Sequence, residues 1–303
     1  MSATIFIDGE AGTTGLQIRE KLAGLSGLEL MSLPPEARKD ASAKQKLYGK
    51  VDVVILCLPD EAAKEAARLI DAMGADAPRV IDASSAHRVA PGWTYGFPEL
   101  VAGQAEAVAK ADKVTNPGCH ATGAIALLRP LTDAGVIAKD AGVSITSVSG
   151  YSGGGKSMIE TYETGKAPAF ELYGLKLEHK HVPEIQLYSG LTARPVFTPS
   201  VGNFRQGILV SVPLHLDALP GKPKAADLVT VFHEHYRGET HFRVVESDGA
   251  RIEPESLNGT NDIEIHVYPN EARRQALLVA KFDNLGKGAS GAAVQNLMLM
   301  LGR

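Results

Sequence analysis

Cysteine is scarce in this chain, with two residues in 303. Two thiols cannot build a disulfide framework, and a reducing, cytoplasmic setting is expected. Long apolar runs are lacking too. No stretch approaches the roughly 20 residues that span a bilayer. The opening Met1-Ser2-Ala3-Thr4-Ile5-Phe6-Ile7-Asp8 has neither the basic start nor the apolar middle of a secretory signal. Concentrated positive charge is also missing: the net charge is -4 and no basic run stands out. That balance argues against nucleic acid as a partner. There is no internal repeat and no low-complexity segment. What remains is a chain long enough for two domains with cores of their own. Its 31 glycines fall at turns and loops, as expected of an α/β enzyme.

The first part alternates strand and helix signals. Strands are predicted over 4–7, 28–33, 51–58 and 79–82, with helices over 13–25 and 61–73. This rhythm implies a doubly wound parallel sheet of Rossmann type, joined by right-handed crossovers. After Cys119 a helix runs to about Asp133, and the later strands are longer and more alternating. Segments 143–149, 207–216, 242–245, 262–268 and 275–282 read as a mostly antiparallel sheet in an α+β domain. Residues 286–301 are apolar at helical spacing and read as a helix returning to the first domain. The expected division is therefore 1–118 with 286–303, and 119–285. A sheet with one open face predicts a homo-oligomer, dimer or tetramer.

Directly after the first strand comes Gly9-Glu10-Ala11-Gly12-Thr13-Thr14-Gly15. Glycines spaced this way between a strand and a helix allow a tight turn, close approach of a pyrophosphate and helix–strand contact. The helix start offers N–H donors to phosphate, and the Thr13 and Thr14 hydroxyls add more. Strand two ends Leu33-Pro34-Pro35-Glu36-Ala37-Arg38-Lys39. Glu36 is near the place of an acid that would select NAD, but the basic pair Arg38 and Lys39 suits the 2′-phosphate of NADP.

Asn116-Pro117-Gly118-Cys119-His120 is the most informative stretch. It places a thiol just after a Pro-Gly turn and at the start of a helix. Orphan N–H groups and the positive end of the helix dipole favour a thiolate there, and they can later hold an oxyanion. Cys57 offers the contrast, since the apolar run 53–58 makes it a packing residue. Arg88, in Ser84-Ser85-Ala86-His87-Arg88 beyond strand four, suits an anionic substrate group. Ser149-Gly150-Tyr151-Ser152-Gly153-Gly154-Gly155-Lys156 reads as a substrate-binding loop, with Lys156 as an anion contact. His179-Lys180-His181 with Glu184 offers acid–base chemistry, with Glu184 orienting an imidazole, or a metal pair. His233 and His235 read as solvated.

Taken in order, these motifs and Lys287-Gly288-Ala289-Ser290-Gly291-Ala292-Ala293-Val294-Gln295-Asn296 resemble one family. It is the short form of N-acetyl-gamma-glutamyl-phosphate reductase, within the semialdehyde dehydrogenase superfamily. The resemblance implies an NADPH-dependent reductase of arginine biosynthesis that works through a cysteine thioester on Cys119. It implies an acid–base histidine, His181 in preference to His179, and a phosphate contact at Arg88. The residues expected to bind NADP are Gly9, Gly12, Thr13, Thr14, Gly15, Arg38, Lys39, Ser84 and Asn284. Those expected to bind substrate are Arg88, Asn116, Ser152, Gly153 and Lys156, and no metal is expected. Two positions depart from longer relatives: His120-Ala121 stands where Tyr-Pro is common, and Lys156 where a loop often ends in Arg. Rival readings are an aspartate-semialdehyde dehydrogenase activity, a non-catalytic NADP sensor and a hydrolase with a metal on His179 and His181.

Overall fold

The structure, a computed structural model, describes residues 2–245 and 249–303. Met1, in the first predicted domain, and residues 246–248, in the second, lie outside the described residues. The chain forms two compact units. One comprises Met1–Pro98, Ala102–Pro117 and Ala289–Arg303, the other Glu99–Val101 and Gly118–Gly288.

The first unit contains β1 (Ala3–Asp8), α1 (Thr13–Ala23), β2 (Leu28–Met31), α2 (Ala41–Tyr48), β3 (Val53–Leu56), α3 (Asp60–Asp71), β4 (Arg79–Asp82), β5 (Thr94–Tyr95), α4 (Gln104–Lys110) and β6 (Lys113–Thr115). The strands form one six-stranded sheet in the order β2-β1-β3-β4-β6-β5, parallel at every ladder. Strand period sets its two cores. Ile5, Ile7, Val53 and Ile55 pack on one face with Ile18, Leu22 and Val108 of α1 and α4 and with Leu297 of the unit's last helix, Gly291–Met300. Phe6, Val54, Leu56 and Val80 pack on the other with Leu47, Tyr48, Ala66 and Ile70. Burial on both faces is what a near-continuous apolar strand such as Val53-Val54-Ile55-Leu56 requires. β2 stops at Met31, before Leu33, because Pro34 and Pro35 start a 3₁₀ turn. Helix α2 has no apolar stripe to announce it. Asp40 caps it, accepting from the Ser42 and Ala43 amides at 2.8 and 3.2 Å.

The second unit contains α5 (Cys119–Asp133), β7 (Ser144–Gly150), α6 (Gly155–Glu163), β8 (Phe170–Leu172), α7 (Val182–Tyr188), β9 (Val196–Gly202), β10 (Ile208–His215), α8 (Ala225–His235), β11 (Phe242–Val245), β12 (Ile263–Asn270) and β13 (Gln275–Phe282). Its seven-stranded sheet runs β11-β12-β13-β10-β7-β9-β8. Four ladders are antiparallel, but β7 with β9 and β11 with β12 are parallel. A parallel pair needs a crossover, and the segment carrying α6, β8 and α7 provides one between β7 and β9. The long strands alternate as expected: β10 is buried at Ile208, Val210, Val212 and Leu214. Helix α5 packs on β10 and β13.

Gly9 sits at φ +95°, and a Cβ there would lie 2.3 Å from the Cys57 carbonyl oxygen. Both facts exclude a side chain at the turn. Gly24 has an ordinary backbone and open space around it. Gly9→Ala is therefore expected to lower the unfolding free energy by about 2 kcal/mol or more, and Gly24→Ala to change it by under about 0.5 kcal/mol. Urea denaturation of the two variants checks this.

Candidate active site

The glycine loop of the first unit folds as its sequence requires. Gly15 packs so closely under Gly9 that a Cβ would lie 2.5 Å from its carbonyl oxygen. Helix α1 starts at Thr13 with no side-chain cap on Gly12 and no acid in its first turn, which leaves the helix start suited to an anion. Glu10, buried in this loop, binds Arg19 at 2.6 Å, Arg38 at 2.7 Å and the Ser32 hydroxyl at 2.9 Å. Two guanidiniums and a hydroxyl thus gather just beyond β2. Arg38 was legible in the sequence. Arg19 and Ser32 were not, because Glu10 brings them together across 9 and 22 positions. Lys39 is exposed, as is Glu36.

Ser84 is fixed at the end of β4: its amide and hydroxyl both donate to Asp82 at 2.8 Å. The same carboxylate takes His87 Nδ1 at 2.6 Å, and that ring stacks on Trp93 at 4.2 Å. Arg88 is 8% exposed and donates from Nε to the Asn116 carbonyl at 3.1 Å. The Asn116 amide works inside the first unit. It donates to the Ala289 carbonyl at 2.9 Å and accepts from Asn296 at 3.1 Å. Those bonds fix the turn ahead of the cysteine.

In the second unit Cys119 is the first residue of α5, with Gly118 as its N-cap. The first helical bond is that of the Thr122 amide to the Gly118 carbonyl at 2.8 Å. The amides of 119–121 precede it and lie at the positive end of the helix. Glu184, buried near the start of α7, accepts from the Gly118 amide at 3.1 Å. Its carboxylate thus anchors the turn. Burial and this carboxylate push the Tyr188 phenol up to about 12.

Three imidazoles gather at the start of α5. His179 and His181 lie 4.6 Å apart, and His120 lies 5.7 and 5.5 Å from them. Phe197 closes the group. The His181 amide donates to His179 Nδ1 at 3.1 Å. His120 is buried, with Nδ1 2.7 Å from the Ser147 hydroxyl and Nε2 2.8 Å from the Tyr173 hydroxyl. Burial first, and the neighbouring His179 second, push His120 down to about 3. Sequence reasoning treated His120 only as a departure and passed over Tyr173 and Ser147. Among the described residues, no three His, Cys, Asp or Glu side chains are grouped to hold a metal ion.

Asn284 and Ser152 come together: the Asn284 amide donates to the Ser152 hydroxyl at 3.1 Å and accepts from the Gly207 amide at 2.8 Å. Gly153 and Lys156 are exposed on the same loop. A buried pair, Lys287 to both Glu99 oxygens at 2.7 and 2.8 Å, pins the turn that carries Gly288. A Cβ on Gly288 would lie 3.0 Å from that of Cys119. Cys57 is the opposite kind of thiol: burial, then Asp82 and Asp8, push it up to about 12. His233 is exposed as expected, but His235 is half-buried and desolvation pushes its pKa down.

A parallel nucleotide-fold unit, followed by a mixed-sheet unit that opens on a helix-start cysteine, defines the semialdehyde dehydrogenase class. The comparisons agree. Residues 13–110 match the semialdehyde dehydrogenase NAD binding domain, and 119–284 the semialdehyde dehydrogenase dimerisation domain. Aspartate semialdehyde dehydrogenase II of Vibrio cholerae, complexed with ASA, shares the fold at TM-score 0.75 and 15% identity, covering 100% of this chain and 99% of that one. Two relatives named for one activity are much nearer in sequence. N-acetyl-gamma-glutamyl-phosphate reductase 2 of Pseudomonas putida is 52% identical, over 98% of this chain and 96% of its own length. N-acetyl-gamma-glutamyl-phosphate reductase of a Chelativorans species is 52% identical over 99% of both. The chain belongs to the semialdehyde dehydrogenase family of oxidoreductases, and within it to the N-acetyl-gamma-glutamyl-phosphate reductases.

A buried His120 that stays neutral ties stability to pH. Its folded pKa lies below the unfolded value of 6.5, so the unfolded chain binds the extra proton. The contribution is complete above about pH 6.5 and is lost as pH falls toward about 3, at up to about 1.4 kcal/mol per pH unit. Urea denaturation across this range is expected to show a shallower slope for His120→Gln than for the parent.

Proposed function

We propose that this chain is the NADPH-dependent reductase that converts N-acetyl-gamma-glutamyl phosphate to N-acetylglutamate 5-semialdehyde, releasing phosphate, in the arginine pathway of the cytoplasm. The observation that carries the reading is a cysteine at the first position of α5, next to a cluster of three imidazoles that includes the following residue, His120, in a chain about half identical to reductases of that name.

The reaction divides into two acyl steps on one sulfur. Cys119 attacks the acyl-phosphate carbonyl, and the C–O bond to phosphate breaks to leave a thioester. The amides at the start of α5 stabilise the tetrahedral oxyanion. The Gly118 amide is held by Glu184, so this task falls to those of 119–121. When bound, the reduced dinucleotide supplies the hydride that a thioester accepts more readily than a carboxylate. His181 protonates the resulting oxyanion, and the thiohemiacetal releases the aldehyde and restores the thiol. His181 is preferred to His179 because His179 Nδ1 already accepts a backbone bond, which places that ring's proton on Nε2. Arg88 is assigned to the phosphate group, and Ser152, Gly153 and Lys156 to the remainder of the substrate.

The first unit's residues fit a dinucleotide. Gly9 and Gly15 exclude a Cβ where the turn packs on Cys57 and on itself, which keeps the loop tight beneath the helix start, and Thr13 and Thr14 lie in the first turn of α1. Arg19, Arg38 and Ser32 supply the charge and hydroxyl that suit a 2′-phosphate, with Lys39 nearby. Ser84 is assigned to the cofactor with them. Asn284, which donates to the Ser152 hydroxyl at 3.1 Å, is likewise assigned to the cofactor. The reductase is proposed to work as a homo-oligomer, a reading supported by the dimerisation-domain match.

The test runs the reaction in reverse, as phosphate-dependent NADP reduction by N-acetylglutamate semialdehyde, beside aspartate semialdehyde. Turnover of the acetylated substrate alone is expected; turnover of aspartate semialdehyde instead would move the assignment. Cys119→Ser is expected to abolish turnover and retain NADPH binding. His181→Asn is expected to lower kcat about 10²- to 10⁴-fold, and the same loss from His179→Asn instead would overturn the choice of imidazole. Arg38→Ala is expected to weaken NADPH about 10-fold or more while sparing NADH, as read by fluorescence titration.

A further inference from the structure

The mechanism above leaves a chain of three buried or half-buried polar groups unused: Ser147 on β7, His120 on α5 and Tyr173 just after β8. They are linked through the two ring nitrogens, with 2.7 Å from the Ser147 hydroxyl to His120 Nδ1 and 2.8 Å from His120 Nε2 to the Tyr173 hydroxyl. His120 directly follows Cys119 in sequence. The Tyr173 backbone is itself held, its amide donating to the Pro199 carbonyl at 3.2 Å.

We propose that the Tyr173 hydroxyl donates a hydrogen bond to the Cys119 sulfur, and that His120 is the positioning residue that aims it. The proposal rests on the reading of Cys119 as the nucleophile. It requires one tautomer. The Ser147 hydroxyl donates to Nδ1, Nε2–H donates to the Tyr173 oxygen, and the phenolic proton is left to point at the sulfur. No proton is transferred; the bond holds charge on sulfur before attack. Two further observations support it. Burial first, and the nearby Cys119 second, push the Tyr173 phenol up, so the two side chains lie within electrostatic reach of each other. Burial also keeps His120 neutral down to about 3, so the donor at Nε2 stays in place through the working range of pH.

Other titratable groups surround the pair. His179 contacts the Tyr173 ring at 5.6 Å, and His181 contacts His120. Glu184 binds the amide preceding Cys119, and Lys287, beside Gly288, is neutralised by Glu99. None of them is altered by Tyr173→Phe, which also keeps the ring and its packing.

The experiment is the pH dependence of iodoacetamide alkylation of Cys119 in the full-length protein, followed by intact mass, with Cys119→Ser as the background for Cys57. Tyr173→Phe is expected to raise the midpoint by about one pH unit, which is about tenfold in rate at pH 7. His120→Ala is expected to give the same shift, and the double variant no more than either single. An unchanged midpoint in Tyr173→Phe overturns the proposal, and Tyr173→Phe carries the test even where His120→Ala fails to fold. Shifts that add in the double variant overturn the aiming role of His120. A parent Cys119 that alkylates no faster than an ordinary thiol removes the nucleophile itself, and with it the proposed function. A normal parent profile with an unshifted variant removes only the role of Tyr173.

Discussion

The second unit depends on how the first turn of α5 is held. A reactive sulfur at a helix start gains from the helix field only if the backbone there does not move. Gly118 is tied on both sides, its amide to Glu184 and its carbonyl to the Thr122 amide and hydroxyl. From His120 to Leu128 every residue of the helix is buried. Tyr236, another buried side chain, donates to the Ala126 carbonyl at 2.8 Å, so the middle of the helix is fastened too. The site's geometry is thus set by packing around a rigid rod, and local loop chemistry adds to it.

The first unit faces a different electrostatic problem. A helix start suited to an anion is a poor place for carboxylates, yet β1 ends in Asp8 and the loop contains Glu10. Each is compensated. Lys44 and Tyr48 hold Asp8 at 2.9 and 2.6 Å, and two arginines hold Glu10. Helix α2, which carries Lys44 and Tyr48, therefore has a role beyond covering the sheet. In the Glu10 cluster the acid keeps guanidiniums in place that would otherwise disperse into solvent.

Much of this was legible in the sequence, for reasons that differ by element. Strands buried on both faces write themselves as continuous apolar runs, and β4 was read to its observed ends, 79–82. The Pro-Gly-Cys start of α5 was equally plain, because turn chemistry is local. Pairing was not. Nothing in 144–150 or 196–202 states that these strands run parallel, since that depends on the crossover between them. Helix α2 was hidden because its contacts are made by a lysine, a tyrosine and one leucine, with no stripe. In the candidate site the helix-start cysteine and the His179–His181 segment could be found from residue type and spacing. The Ser147–His120–Tyr173 line could not, since its members come from three elements and meet only after folding. The bond from the Gly118 amide to Glu184 was hidden for the same reason, since a backbone amide carries no signature.

Cys57 has a consequence in redox chemistry. A thiol whose pKa is about 12 is almost never a thiolate, and thiolates are what attack sulfenic acids and disulfides. The chain has only one other cysteine. An oxidised Cys119 would therefore find no resolving partner within its own chain. Its recovery would depend on small thiols from outside, and a second oxidation to the sulfinic acid would be permanent.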